Sequence, residues 1–253
     1  MLALLLALCG CSTTPSADVA ADPGILRVGV SPDAPPIIFK ENDKIVGLEA
    51  DMAEALARHL GKTAALVEIP WEDQIQALKD NRTDIIMSGM SITLARKFEI
   101  AFSKPYFKSG LMMITTNLQK YTFIKNPEAV LTQAITWRVG AVKGTTGETF
   151  VTQRATKIKS IKSYKNQGNA LQALITGSID VFILDAPNAL MLAAKHQNDG
   201  VKPIPVVLNE EYLAWGVRKD DPDLLATVNA FVDQAKQDGT LMSTVKRWIP
   251  LAQ

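Results

Sequence analysis

Ile75-Gln76-Ala77-Leu78, with Asp84 six residues beyond its leucine, recurs as Leu171-Gln172-Ala173-Leu174, with Asp180 at the same distance. Each Asp opens an apolar run, Asp84 to Met87 in the first copy and Val181 to Leu184 in the second. A helical stripe, a turn and a short apolar strand make part of a βαβ unit, so the recurrence predicts two similar α/β units in one chain. Strands alternating with helices imply mostly parallel sheets covered on both faces. In such sheets a ligand binds beyond the carboxyl ends of the strands. Ser88 and Asp185 directly follow the two matched strands, which places them at equivalent crevice positions, one in each unit.

The same grammar extends outward from both copies. Leu26 to Val30 alternates as a strand does, and Ala65 to Ile69 reads as another. Asp51 to Leu60 carries Met52, Leu56 and Leu60 at helical spacing, and Gly61 sits where a helix C′ glycine belongs. Around the second copy, Arg138 to Val142 reads as a strand and Gly147 to Arg154 and Asn169 to Ile175 as helices. Ala214 to Val217 reads as a strand. The tail is helical: Leu224, Leu225, Val228, Phe231, Val232 and Ala235 form a broad stripe, broken by Gly239 and continued by Leu241, Val245 and Trp248. These last helices need a core to cover, and the second unit begins near Arg138. The expected division is therefore a first lobe of residues 25–113 plus 208–253, with a second lobe, 114–207, inserted between. Met112 to Thr116 and Val206 to Asn209 are the expected crossings.

Composition narrows the function classes. Of 253 residues 47% are hydrophobic, and 27 Lys+Arg stand against 26 Asp+Glu for a formal charge of +1. A nucleic-acid partner calls for a basic excess on one face, and neither the total nor any local run supplies it. His59 and His196 lack a spaced partner, so no metal is expected; no cofactor motif is present either. Met1 to Ala17 carries no charge, and Met1 to Leu8 is almost wholly Leu and Ala. That run is far shorter than the ~20 apolar residues of a membrane span and fits a secretion signal better. Leu8-Cys9-Gly10-Cys11 resembles the bacterial lipobox, which makes Cys11 the candidate for lipidation. Both cysteines lie in this segment, so the rest of the chain can form no disulfide and holds no thiol nucleophile. Residues 12–24 read as a tether; 1–24 together form signal and tether.

Several passages carry a resemblance. They are Leu26 to Val30 followed by Pro35-Pro36, Gly47-Leu48-Glu49-Ala50-Asp51-Met52, Asp84 to Tyr106, Val139 to Glu148, and Asp180 to Pro187. With them the chain resembles the family 3 solute-binding proteins, the polar amino-acid receptors of ABC importers. The resemblance implies an α/β fold of the two-lobed periplasmic-binding-protein type (type II), a clamp that shuts on its ligand. It implies an extracytoplasmic location, an ABC permease as partner, and a monomer. It also assigns roles. Ser88, Gly89 and Ser91 offer backbone and hydroxyl groups, and Arg96 holds an α-carboxylate that Thr145 and Thr146 also touch. Asp185 takes the α-ammonium, and Trp71 walls the ligand side chain.

The residue chemistry is consistent with these roles. A guanidinium gives a planar two-bond fork to a carboxylate. The Gly144-Thr145-Thr146-Gly147 turn opens a predicted helix whose free N–H groups favour an anion. An ionised Asp accepts from an ammonium, and opposed charges reject ligands lacking either group. Each residue has a plainer reading as well. Arg96 on a short helix is also what a solvated charge looks like, and Asp185 before Pro187 is also what a helix cap looks like. Trp71 shares a packing stripe with Ile75 and Leu78. The chain departs from the family at Ala34 and Ile37, where relatives carry an aromatic, and at Ser31, where receptors for basic amino acids often carry an acid, although Asp33 is near. These departures favour a neutral ligand.

Capture without chemistry is the first functional reading. The second is an enzyme like cyclohexadienyl dehydratase, which shares the fold and a similar Met87-to-Ile92 block, with Glu148 as proton donor. The third is a sensory module reporting to a membrane partner. The lipid anchor suits the first. If Cys11 is acylated, the full-length precursor expressed in a bacterium enters the detergent phase on extraction and the Cys11→Ser variant stays aqueous; partition of both into water would rule the anchor out.

Overall fold

The computed structural model describes residues 22–133, 137–154 and 158–250. Cys9 and Cys11 lie outside them. The first stretch runs β1 (Ile25–Val30), β2 (Asp33–Ala34), β3 (Ile38–Glu41), β4 (Lys44–Val46), α1 (Leu48–His59) and β5 (Thr63–Glu68). It continues with α2 (Gln74–Lys79), β6 (Ile85–Ile86), α3 (Leu94–Glu99), β7 (Ala101–Phe102) and β8 (Phe107–Ser109). The middle holds β9 (Leu111–Thr115), α4 (Pro127–Gln133), β10 (Arg138–Val142), α5 (Thr146–Arg154) and β11 (Ser160–Tyr164). Then come α6 (Gln167–Ile175), β12 (Val181–Asp185), α7 (Ala186–Lys195) and β13 (Lys202–Ile204). The chain closes with β14 (Glu211–Leu213), β15 (Gly216–Val217), α8 (Pro222–Gln237) and α9 (Thr240–Trp248).

Two five-stranded sheets organise the chain, β5-β1-β6-β15-β7 and β11-β10-β12-β9-β13. Each is a parallel core of three strands extended by two more through successive antiparallel pairings. Apolar spacing explains the layers. In α1, Leu48, Met52 and Leu56 recur at four-residue steps and bury one stripe. That stripe joins Val28, Val30 and Ile85 of the first sheet, while α8 and α9 add Val228, Phe231, Val232, Leu241 and Val245. The second sheet has its own cores, with Val139, Val181 and Ile183 on one face and Leu174, Phe182 and Leu192 on the other. Among the described residues, no helix is long and apolar enough to cross a membrane.

The recurring aspartates have a structural reason. Asp84 accepts the backbone N–H of Arg27 at 2.8 Å and pairs with its guanidinium through two further bonds, 2.6 and 3.2 Å. Asp180 repeats this on Arg138, at 2.8, 2.7 and 3.1 Å. In return the Asp84 and Asp180 amides each donate to the carbonyl of their arginine at 2.8 Å. Each aspartate thus locks the strand it opens to the start of the neighbouring parallel strand, β1 or β10. The sequence carries this second repeat too, Arg27-Val28-Gly29 against Arg138-Val139-Gly140, although an Arg on a strand reads as a solvated charge until its partner is seen.

The sheets are joined where β8 and β14 pair, with Glu211 opposite Ser109 and Leu213 opposite Phe107. The chain passes from the first sheet to the second at Gly110. A Cβ there would lie 2.3 Å from the Asn209 carbonyl oxygen and 2.6 Å from a Val207 methyl, so the crossing segments touch with no room for a side chain. Asn209 Oδ1 accepts the Leu111 amide at 2.8 Å, and the Leu208 amide donates to the Leu111 carbonyl at the same distance. The boundary read from sequence after residue 113 falls inside β9, whose Leu111 and Met112 already pair with Asp185 and Leu184 of the second sheet. The apolar run Leu111 to Thr115 conceals that change of sheet, because a buried strand looks alike in either.

Burial opposes ionisation of Asp84, but hydrogen bonds and charge from Arg27 outweigh it and hold the carboxyl below its usual range. A carboxyl so lowered stabilises the fold above the unfolded-state value near ~3.9, and that contribution is lost as pH falls through the folded value. Asp84→Ala should lower the unfolding free energy in urea at pH 7 by about 1–3 kcal/mol. The gap to the parent should narrow below pH ~4; equal midpoints at pH 7 would show the clamp to be idle.

Candidate functional site

A cavity lies between the carboxyl ends of the two sheets, about 650 Å³ when the solvent space at its open mouth is counted. Ser88, Gly89, Ser91, Arg96 and Trp71 border it from the first unit; Thr145, Thr146 and Asp185 border it from the second. All eight residues singled out from sequence therefore meet at this one place. Ser31, Asp33, Ala34, Ile37 and Gln167 complete one end, with Ile183, Leu184 and Asn188 behind Asp185.

Arg96 is placed by its own helix. Thr93 caps α3, its hydroxyl oxygen accepting the Arg96 amide at 3.2 Å. One terminal nitrogen donates to the Ser91 carbonyl at 2.8 Å and the other to the Gly144 carbonyl at 3.1 Å, across to the second unit. The guanidinium lies over the Trp71 ring, 5.1 Å from its centroid. Two of its five N–H donors are thus committed, leaving the rest of the fork for an anion. Burial pulls its pKa down and the charges of Asp185 and Glu211 push it back up, which puts both acids within its field. Trp71 serves both of its readings at once, since it packs against the cluster of Leu78, Ile86, Met90 and Ile100 and also lines the cavity.

Gly144 turns the chain with φ +74°, a left-handed conformation that glycine adopts without strain. A Cβ there would stand 3.6 Å from Trp71 Nε1, so the turn lies against the tryptophan. Thr145 then caps α5, accepting the Glu148 amide at 3.3 Å, and its hydroxyl donates to the Val142 carbonyl at 2.7 Å. The Thr146 hydroxyl donates to Glu211 at 2.9 Å. Both threonine hydroxyls are engaged within the protein, so what this turn offers an anion is the Thr146 and Gly147 amides that open α5, which have no acceptor inside the helix.

Asp185 ends β12 and precedes α7, yet its side chain makes no capping bond to that helix. The plain capping reading fails here, and the carboxylate is left to the cavity. Burial pushes it up to about 7, the charge of Glu211 pushes the same way, and Arg96 pulls against them.

Two acids behind the wall had no role in the sequence reading. Glu49 is fully buried beneath the Ser88–Gly89 turn. It accepts the Gly89 amide at 2.6 Å and the Tyr106 hydroxyl at 2.5 Å, while burial pushes its carboxyl up to about 7. The Gly89 amide is therefore spent on the protein, leaving its carbonyl for a ligand. The sequence signal was an acid on the buried stripe of α1, in step with Ala53 and Leu56. Glu211 is 8% exposed and accepts from Ser91, Thr146 and Asn209. Ser91 and Thr146 lie 120 and 65 residues away in sequence, so only the folded chain brings Glu211 behind these two residues of the cavity wall. Glu148 does not border this cavity. Its carboxylate accepts the Gly144 amide at 2.7 Å and the Ser163 hydroxyl, and the residue faces an outer groove beside Lys143.

Comparison with known proteins points one way. Residues 26–251 match the family described as bacterial extracellular solute-binding proteins, family 3. The chain is 29% identical over 226 residues to the L-cystine-binding protein TcyJ of Escherichia coli (strain K12), covering 89% of this chain and 82% of that one. It is 31% identical over 255 residues to the histidine-binding periplasmic protein of Salmonella typhimurium, covering 98% and 96%. An ancestral arginine-binding protein bound to arginine superposes with a TM-score of 0.80 at 31% identity, covering 89% and 98%. An ancestral amino acid-binding protein described as a precursor of cyclohexadienyl dehydratase gives 0.78 at 33%, covering 89% and 95%.

An acid whose folded-state pKa lies above its unfolded value near ~3.9 costs stability as pH rises between the two. The ligand-free Asp185→Asn variant should therefore melt above the parent at pH 8 by calorimetry, with the advantage gone below pH ~4. A variant that melts at or below the parent at pH 8 would mean that Asp185 is not a desolvated charge.

Proposed function

This chain belongs to the bacterial extracellular solute-binding proteins, family 3, and on that footing we propose that its cleft captures a free amino acid, or a close analogue, for import. One observation carries the reading: a guanidinium and a carboxylate from the two units, Arg96 and Asp185, border the same cavity and feel each other's charge. That pair matches a zwitterion. The ligand carboxylate takes the open fork of Arg96 and the α5 amides; its ammonium takes Asp185 and the Gly89 carbonyl. Ser88 and Ser91 supply further polar contacts, and Trp71 forms a wall.

At the far end stand Ser31, Ala34 and Ile37, with Asp33 accepting the Gln167 amide at 3.0 Å. The near acid is already engaged, which favours a neutral ligand side chain. Lobes of residues 25–113 plus 208–253 and of 114–207, up to the few residues around Gly110, would close on such a ligand. Closure needs a ligand with extra affinity for the shut form, and one that bridges Arg96 and Asp185 has it. A lipid on Cys11, an ABC permease as the receiver and a monomeric receptor complete the proposal. The dehydratase alternative finds little support, since Glu148 is tied to Gly144 and Ser163 away from the cavity.

Thermal shift against the common L-amino acids, followed by calorimetric titration with the best of them, tests this. Truncating one member of a desolvated, hydrogen-bonded charge pair costs ~2–5 kcal/mol, which is on the order of 30- to several-thousand-fold in affinity. Arg96→Ala should lose measurable binding and Asp185→Ala most of it, with neither unfolding the ligand-free protein. No phenylpyruvate absorbance should grow on incubation with prephenate. Turnover of prephenate, or wild-type-like binding by Asp185→Ala, would overturn the reading.

A further inference from the structure

Glu211 sits where three parts of the molecule converge. It belongs to β14, half of the ribbon that joins the two sheets. One carboxylate oxygen accepts the Ser91 hydroxyl of the first unit at 2.5 Å and the Thr146 hydroxyl of the second at 2.9 Å. The other accepts the Asn209 amide group at 2.8 Å, and Asn209 in turn holds the Leu111 amide of the opposite crossing segment. One nearly buried carboxylate is thus bonded to a cavity-lining residue of each unit and to one of the crossing segments that join them. Among the described residues no Lys or Arg pairs with it in a salt bridge, so the bonds described are to hydroxyl and amide donors and its charge remains for its neighbours.

We propose that Glu211 is a positioning residue of the cleft: it holds Ser91 and Thr146 in register when the units are together, and through Asp185 it sets how ligand capture depends on pH. This rests on reading the cavity as an amino-acid site. The groups facing Asp185 are few. Arg96 approaches from α3 and attracts it, Glu211 approaches from β14 and repels it. Tyr106, just before β8, feels the Asp185 charge as well, with Glu49 of α1 on its hydroxyl. Asp33 of β2 lines the same cavity, its carboxylate on the Gln167 amide of α6. Asp185 lies opposite Leu111 and Glu211 opposite Ser109, positions two apart in the chain, so the pairing of the strands brings the two acids near each other. Within this set Glu211 is the acid whose charge raises Asp185, after burial itself.

The sign follows. An ammonium needs Asp185 ionised, so affinity falls as pH drops through the value near 7 at which Asp185 takes up a proton. Replacing Glu211 by Gln removes a repelling charge but keeps a side-chain oxygen for the hydroxyls, so Asp185 should ionise at lower pH. Replacing it by Ala also removes the acceptor shared by Ser91 and Thr146.

The test uses the full chain and its Glu211→Gln and Glu211→Ala variants. The probes are L-glutamine, L-histidine, L-arginine and L-cystine, titrated calorimetrically from pH 5 to 9. Carbon-13 NMR of the Asp185 carboxyl, assigned with Asp185→Asn, follows the same range without ligand. In the parent, affinity should decline below pH ~7 as Asp185 protonates. In Glu211→Gln both the affinity inflection and the NMR midpoint should move to lower pH. In Glu211→Ala affinity at pH 8 should fall by about 10- to 100-fold, the loss of two charge-assisted hydrogen bonds, with less compaction by small-angle scattering. An unchanged NMR midpoint in Glu211→Gln overturns the proposal whatever the ligand. So does a Glu211→Ala protein that binds and compacts like the parent. If the parent binds none of the probes while the midpoint still moves, the amino-acid reading fails and the influence of Glu211 on Asp185 stands.

Discussion

Everything near the cleft depends on one constraint: opposite charges are held half-buried between two sheets, with too few partners of their own. Arg96 spends two donors on the Ser91 and Gly144 carbonyls and keeps the rest. Asp185 declines the helix cap that its position offers. Each group left unsatisfied in this way is costly, and a ligand with the complementary charges removes both costs together. The cost is borne by the surroundings, through folded cores on both sheets that do not involve either residue. It also explains why the buried acids are layered behind the wall. Glu49 fixes the Gly89 turn from below, and Glu211 fixes Ser91 and Thr146, so the groups that meet the ligand are held by groups that do not.

Much of this was legible in the chain. The near-copy around Ile75 and Leu171 located the two matched strands, and the positions just after them, Ser88 and Asp185, fell at the cavity. Helical stripes placed α1 and α8 within a few residues, because their burial follows a period the sequence displays. What was not legible required partners distant in sequence. Nothing local to Arg27 or Arg138 shows that Asp84 and Asp180, 57 and 42 residues away, clamp them. Glu211 lies 120 residues from Ser91 and 65 from Thr146, and no local pattern announces such a meeting. Of the strand expected over Ala214 to Val217 only Gly216 and Val217 form one, β15, with β14 ending just before the expected range at Leu213. Between them the Trp215 amide bonds the Ser103 hydroxyl instead of a neighbouring strand.

The Arg–Asp clamps and the cleft charges use the same residue types to opposite ends. In the clamps each aspartate is met by the guanidinium and the backbone N–H of its arginine together, and the pairing pins strand to strand. In the cleft the matching is left incomplete. Charge that is fully partnered holds the fold together; charge that is partly partnered is available to an arriving molecule.

The strand order carries a consequence for how the chain comes into being. In the first sheet β15 lies between β6 and β7, so β7 has no strand to pair with there until β15 arrives. All five strands of the second sheet, by contrast, lie within residues 111–204. A chain emerging from its amino terminus therefore finishes the inner unit while the outer one still shows an open edge. Continuous units fold as they appear, and exposed edges invite wrong partners. The interval between residue 204 and residue 217, short in sequence, is when the earlier half of the outer sheet stops waiting and is sealed. The first strand to be made thus belongs to the last sheet to close.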